Sequence, residues 1–220
     1  MLLALIALVV IQLWFAANIV YWVKFNPSST AFMRARLELM RETKADAKLG
    51  YQWAPYQNIS PHLKRALIAA EDAKFLEHRG FDWDGIRQAW TRNRREGGIV
   101  AGGSTISQQL AKNLFFSGKR TWWRKGQEAI VTVMLEAMMS KQRILEIYLN
   151  VIEWGDGVFG AEAAARYHYG TTAAALSAQQ AARLAAMTPS PRRYGPGSNT
   201  GYLRQRTAMI YARARAAPIP

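Results

Sequence analysis

Apolar residues run almost unbroken from Met1 to Val23, and beyond Lys24 the spacing changes to the three-and-four repeat of amphipathic helices. The opening run, "MLLALIALVVIQLWFAANIVYWV", contains no charged side chain and is long enough to cross a bilayer core as a helix. Trp14, Phe15, Tyr21 and Trp22 gather toward its end and Lys24 closes it, as an interfacial aromatic belt would. A cleaved signal peptide is the competing reading. The run is long for one, and no convincing small-x-small cleavage site precedes the aromatics. The expectation is an uncleaved transmembrane anchor over 1–23. Residues 24–50 then form a basic juxtamembrane segment, with Phe32, Met33, Leu37 and Met40 at helical spacing near the membrane surface.

From residue 51 to 220 the pattern predicts one mainly helical domain. "GYQWAPYQNIS" reads as an irregular or short extended connection. Ser60-Pro61 is a strong helix start and Gly80 a natural stop, which predicts one helix between them. The glycine-rich "EGGIVAGGST" (96–105) is expected to be a mobile loop. Thr105 and Gln108 after it fit a capping box for "ISQQLAKNLFF". A further helix starts near Trp122 and is apolar on nearly all sides, which predicts a central position. "KQRILEIYLN" continues or follows it. "EWGDGVFG" reads as a turn-rich loop, "AEAAARYHYG" as a helix ended by Gly170, and "LSAQQAARLAAM" as a helix with a Ser177/Gln180 box. After the break "TPSPRRYGPG" comes a basic C-terminal helix. Alternating strand patterns and repeats of 20–50 residues are both missing. The fold class predicted is mainly α.

Composition sharpens this picture in three ways. Half of the 220 residues are hydrophobic, so disorder is not the default reading, and the absence of cysteine excludes disulfides and thiolate metal sites. His62, His78 and His168 are scattered and predict no metal cluster. A formal net charge of +14 calls for an anionic partner: nucleic acid, an anionic membrane surface or a phosphorylated substrate. Charge also bears on orientation. Arg34, Arg36, Arg41, Lys44 and Lys48 follow the anchor and no charge precedes it, so the positive-inside rule points the domain to the cytoplasm. That rule is weaker for long translocated domains, and charge alone leaves the side open.

Within the predicted helix 61–79, Glu71 shares a face with Leu67, Ile68 and Phe75. A carboxylate there is either an ion-paired core-edge group, with Lys74, Arg79 or a distant cation as partner, or a general base presented to a cleft. Asp72 points elsewhere and is suited to holding its own helix or a neighbouring loop. His78 falls on the Glu71 face and reads as a hydrogen-bonded core group. A second constellation is cationic. Lys112, Lys119, Arg120, Arg124 and Lys125 occur with no acid among them and with Phe115, Phe116, Trp122 and Trp123 interleaved. This is either a solvated loop beside a membrane or a phosphate cradle. Thr105, Gln108, Gln109 and Lys112 lie along one helix face, as mere amphipathicity or as the lining of a groove. Glu128 stands four residues after Arg124 and three after Lys125, placed to fix those cations.

In order and approximate spacing, "EDAKFLEHRG", "GGSTISQQLAKNLF", "RKGQEA", "KQRILEIYLN" and "GAEAAARYHYG" resemble the five motifs of the peptidoglycan glycosyltransferases, over roughly residues 51–195. One anchor without a transpeptidase domain is similar to the monofunctional branch of Gram-negative bacteria. Ser107 stands where threonine is usual. The resemblance implies a lysozyme-like, mainly helical fold that polymerises lipid II into β-1,4-linked glycan with inversion, releasing undecaprenyl diphosphate. By matching motifs it implies Glu71 and Glu128 as catalytic residues. Substrate binding would fall to Ser104, Thr105, Gln108, Gln109, Lys112, Arg120, Arg124 and Lys125. Asp72, Phe75, His78 and Asn150 would be structural groups near the site. It implies no cofactor, beyond the option of a divalent cation at the diphosphate. The expected location is the inner membrane, single-pass, with a periplasmic catalytic domain. Expected partners are lipid II, the growing strand and cell-wall synthesis or division proteins, with no nucleic acid. The rival within the same fold is a lytic transglycosylase or muramidase, which has no use for the cationic run.

Overall fold

The computed structural model describes residues 2–98, 102–118 and 121–220. Among these residues the chain forms ten α-helices. They are α1 (Leu2–Lys24), α2 (Ala31–Thr43), α3 (Pro61–Glu71), α4 (Trp83–Arg95), α5 (Ile106–Phe115), α6 (Trp122–Met138), α7 (Lys141–Val151), α8 (Ala161–Tyr169), α9 (Ala178–Met187) and α10 (Gly201–Ala214). A small sheet joins β1 (Gly50–Tyr51), β2 (Glu153–Gly155) and β3 (Val158–Phe159) in the order β1-β3-β2. β1 lies parallel to β3 with Gly50 opposite Val158, and β2 pairs antiparallel with β3 through a bulge. The expected mainly helical class is what the chain adopts, and the turn-rich loop at 153–160 is the tight β2–β3 connection of that sheet.

The core is built around α7. Ile144, Leu145, Ile147, Tyr148, Leu149, Asn150 and Val151 are all buried, because α5, α6 and α8 pack around this helix. The central position predicted for α6 is therefore overturned. Only one side of α6 is buried, through Gln127, Glu128, Val131, Thr132 and Leu135. Ile130, Val133 and Met138 are exposed on the other side, and Trp122 is 93% exposed. A helix apolar all round is either buried or faces an apolar medium, and sequence periodicity does not separate the two. α3 packs on α9 and α10, and α9 on α10, forming a second layer that carries Leu63, Leu67 and Ile68 into the core.

α1 is docked on the domain rather than free of it. Phe15 and Ile19 are buried against it. The Phe15 ring lies 4.9 Å from that of Phe115, with Trp14 and Trp22 at 5.6 and 5.2 Å from the same ring. Arg143 of α7 clamps the end of the helix. Its guanidinium donates to the carbonyls of Trp22 (2.9 Å) and Phe25 (2.7 Å) and to Asn26 Oδ1 (2.9 Å), while pairing with Glu146 at 2.7 Å. A cation on the last carbonyls of a helix satisfies acceptors that have no partner within it and opposes the negative end of its dipole. α2, started by Thr30 accepting from the Met33 amide, packs on α5 and buries Met33.

The helix carrying Glu71 also departs from expectation. It begins as predicted, with Ser60 as cap and Pro61 in the first turn, but ends at Glu71 rather than before Gly80. Residues 73–77 continue as turns, so Phe75 enters the core from the turn and is fully buried. The face proposed to join Glu71 with His78 does not exist, because α3 stops at the glutamate. Gly80 is a turn residue at φ 91° packed so closely on α6 that a Cβ would lie 2.8 Å from Thr132 Cγ2.

Candidate active site

Glu71 is the last residue of α3, so its side chain leaves the helix toward α5 and the segment after α9. It pairs with neither Lys74 nor Arg79; Lys74 instead approaches Asp84 at 3.5 Å. Two neutral donors hold the carboxylate. Gln109 Nε2 donates to Oε2 at 2.9 Å, and the Thr188 hydroxyl lies 2.5 Å from Oε1. The orientation of Gln109 is itself fixed. Tyr148, fully buried, donates its hydroxyl to Gln109 Oε1 at 2.7 Å. Burial first, then the charges of Glu71 and Asp72, raises the Tyr148 phenol well above its ordinary value, so it stays a donor. With the amide oxygen facing the tyrosine, the amide nitrogen must face Glu71. These two bonds fix where the Glu71 carboxylate points.

The neighbouring motif residues build the platform beneath. Asp72 Oδ2 accepts from the Ile106 amide at 3.0 Å, satisfying a free N–H at the start of α5. His78 Nε2 lies 2.9 Å from Asp72 Oδ1, while its Nδ1 accepts from the Gly80 amide at 3.1 Å. That places the ring proton on Nε2, aimed at the aspartate. Phe75 packs edge-on near His78 with the Lys141 ammonium 4.5 Å from its ring centre. Thr105 and Gln108 form the expected capping box, and the Thr105 hydroxyl donates to the Gly80 carbonyl at 2.6 Å. Both are buried, so the polar stripe divides: Thr105 and Gln108 start α5, whereas Gln109 and Lys112 face outward into a cleft. Ser104 meets Gln109 through its carbonyl at 3.4 Å, and Ser107 is buried against Glu136.

That cleft has a volume of about 400 Å³. Gln109 and Thr188, the groups that hold Glu71, line it together with Lys112, Asn113, Tyr148 and Arg192. Glu153 forms part of its wall as a buried carboxylate, in contact with Arg36 at 3.4 Å, Arg192 at 2.9 Å and the Gly157 amide at 3.1 Å. Tyr148, Thr188 and Glu153 are site residues that the motif reading missed. Tyr148 lies inside "KQRILEIYLN" and is legible as a polar atom on a buried helix face. Thr188 reaches Glu71 across 117 positions, and no local pattern signals that.

Within the cationic constellation, the pairs of Glu128 with Arg124 and Lys125 form as their spacing suggested. Glu128, 3% exposed, sits 3.1 Å from Arg124 Nε and 3.0 Å from Lys125 Nζ. Arg124 also donates to the Gly118 carbonyl at 2.7 Å, tying the preceding loop to α6. These groups stand on α6 beside α5 and are not among the residues lining the cleft. Arg120 and Lys119 lie outside the described residues. Asn150 is fully buried and away from the cleft surface. Its amide exchanges hydrogen bonds with the backbone of Ala54 (2.8 and 2.9 Å), clipping the segment after β1 onto α7. Among the described residues no three His, Asp or Glu side chains come together as a metal-holding group.

Comparison with known proteins places this arrangement. The family model described as Transglycosylase matches residues 38–215. The chain is 62% identical to the biosynthetic peptidoglycan transglycosylase of Nitrosospira multiformis over 96% of this chain and 92% of that one. It is 60% identical to the protein of the same description from Methylobacillus flagellatus, over 100% and 96%, and 59% identical to that of Laribacter hongkongensis, over 99% and 96%. With the match running through α3, α5, α6 and α7, the elements that hold both glutamates, the chain belongs to the transglycosylase family.

Proposed function

We propose that the protein is a membrane-anchored peptidoglycan glycosyltransferase that polymerises lipid II into β-1,4-linked glycan with inversion and releases undecaprenyl diphosphate. The observation that carries this reading is Glu71, fixed by Gln109 and Thr188 at a cleft into which Lys112 projects. In the reaction the 4-hydroxyl oxygen of the acceptor sugar attacks C1 of the donor sugar. The hydroxyl proton passes to Glu71, the C1–oxygen bond to the diphosphate breaks, and its electron pair leaves with the diphosphate. A diphosphate leaves readily once its charge is met, so cations matter more than a general acid. Lys112 on α5 and the Arg124–Lys125 pair on α6 supply them, with Arg120 as the further candidate. Glu128 orients the α6 pair. α1 holds the domain at the inner membrane on the periplasmic side, where the substrate's lipid tail lies.

The test is incubation of the full chain in lipid vesicles with labelled lipid II. Polymer formation is expected, and Glu71→Gln, which keeps shape and loses the base, should lower the rate by about 10²–10⁴-fold. Cleavage of preformed glycan without polymerisation would establish the lytic reading instead, and a Glu71→Gln rate near wild type would refute the role of Glu71.

A further inference from the structure

Gln12 is a polar side chain midway along the uncharged apolar run of α1. Its Nε2 donates to Gln127 Oε1 at 2.7 Å. Gln127 is 6% exposed and immediately precedes Glu128, the carboxylate that gathers Arg124 and Lys125. Helix α1 also packs Trp14 and Phe15 edge-on, and Trp22 tilted, against Phe115, the last residue of the helix that carries Gln109 and Lys112. The anchor thus touches both helices from which the leaving-group cations project. An amide in an apolar helix is costly unless it finds a partner, and the bond it makes away from water is correspondingly persistent. A tether needs no such group: leucine at position 12 would serve membrane insertion better. Asn18 differs, since its Nδ2 bonds the Trp14 carbonyl of its own helix, with no side-chain hydrogen bond to α6 among the described residues.

We propose that the Gln12–Gln127 hydrogen bond is a positioning latch. The anchor fixes the N-terminal turns of α6 and so holds Glu128 and its cations in register for the departing diphosphate. This rests on the glycosyltransferase reading above. Gln12 touches no reacting atom. Its loss should therefore appear in the turnover of bound substrate rather than in substrate capture.

The experiment compares full-length wild type, Gln12→Leu, Gln127→Leu, the double variant and Asn18→Leu in lipid vesicles with labelled lipid II. Gln12→Leu and Gln127→Leu should each lower kcat about tenfold with KM little changed, the scale of one buried hydrogen-bond partner left unsatisfied. The double variant should be no worse than either single one, and Asn18→Leu should match wild type. Vesicle flotation should be unaltered by Gln12→Leu, and its melting temperature should fall by no more than a few degrees, the same unsatisfied partner read as stability. An unchanged kcat for Gln12→Leu, additive losses in the double variant, or a change in association state in place of a change in kcat would overturn the latch. Because the chain has no cysteine, Gln12→Cys with Gln127→Cys gives a separate readout of docking. Crosslinking within one molecule by a short bis-maleimide, which spans two glutamine side chains, is expected, and its absence also refutes the latch. Wild type that makes no polymer while the crosslink forms would refute the proposed activity and leave the docking standing.

Discussion

Tyr148→Phe removes one oxygen from the core and tests how Glu71 is oriented. The hydroxyl is fully buried and its role in the structure is the 2.7 Å bond to Gln109 Oε1. Deleting it leaves that part-buried amide oxygen without its donor, which costs about 1–2 kcal/mol. Phenylalanine otherwise fills the same space, so the cavity contribution is small. For a protein of this size a loss of about 1–2 kcal/mol lowers the melting temperature by about 2–8 °C. The effect on rate comes by a second route. Gln109 keeps its bond to Glu71 but no longer has its flip excluded, and in the flipped state an amide oxygen faces the carboxylate. If the two states become comparably populated, about half the molecules hold Glu71 correctly and the rate falls by about twofold, far less than for Glu71→Gln. The assay is polymerisation kinetics on lipid II beside thermal melting in the same detergent. Loss of stability with wild-type turnover would refute the relay from Tyr148 through Gln109 to Glu71. A loss as large as that of Glu71→Gln would also refute it, because the phenol would then be handling a proton itself.

Three further outcomes are expected. Thr188→Val keeps the shape and removes the hydroxyl beside Glu71 Oε1, a charge-assisted bond worth about 1.5–3 kcal/mol. Polymerisation should fall by about tenfold or more, and Thr188→Ser should restore most of it. Lys112→Ala should raise the KM for the lipid donor with little change in melting temperature, since Lys112 lines the cleft rather than the core; a large fall in melting temperature at unchanged rate would contradict this. Stability should also depend on pH through His168. Burial, opposed by the hydrogen bond to the Trp154 carbonyl and reinforced by Arg183, lowers His168 below its ordinary 6.5. The unfolded chain then binds that proton more tightly, so stability is lost as pH falls below about 6.5. Denaturant melts across that range should show the loss, and His168→Gln, which keeps a donor for Trp154, should flatten it.

What could be read from the chain followed the range of the interactions. The pairs of Glu128 and the Thr105–Gln108 cap were legible because they join neighbours a few positions apart, whereas Glu71 and Asp72 stood out only by falling in a motif of fixed spacing. The end of α3 was not legible. Apolar spacing continues past Glu71 to Phe75, and only the demand of the distant Ile106 amide for the Asp72 carboxylate accounts for the turn that interrupts it. The role of α6 was misjudged for a related reason. An all-apolar helix gives no sign of which medium its outer side meets. Thr188, Tyr148 and Glu153 needed tertiary contacts that no periodicity encodes, because α9 must first dock on α3 before residue 188 reaches residue 71.

Arg143 gives the clamp on the anchor a kinetic meaning. A domain hung from a loose linker would swing over the membrane and sample every tilt. Here one guanidinium grips the Trp22 and Phe25 carbonyls and the Asn26 side chain, while its own helix is the centre of the core. On a bilayer the domain can then drift and spin about the membrane normal but not roll, so a single flank always faces the lipid. Under the proposed function, a substrate confined to that leaflet would have two dimensions to search and one approach direction to find, and a product pushed out of the cleft would leave along a heading set by the tilt of α1.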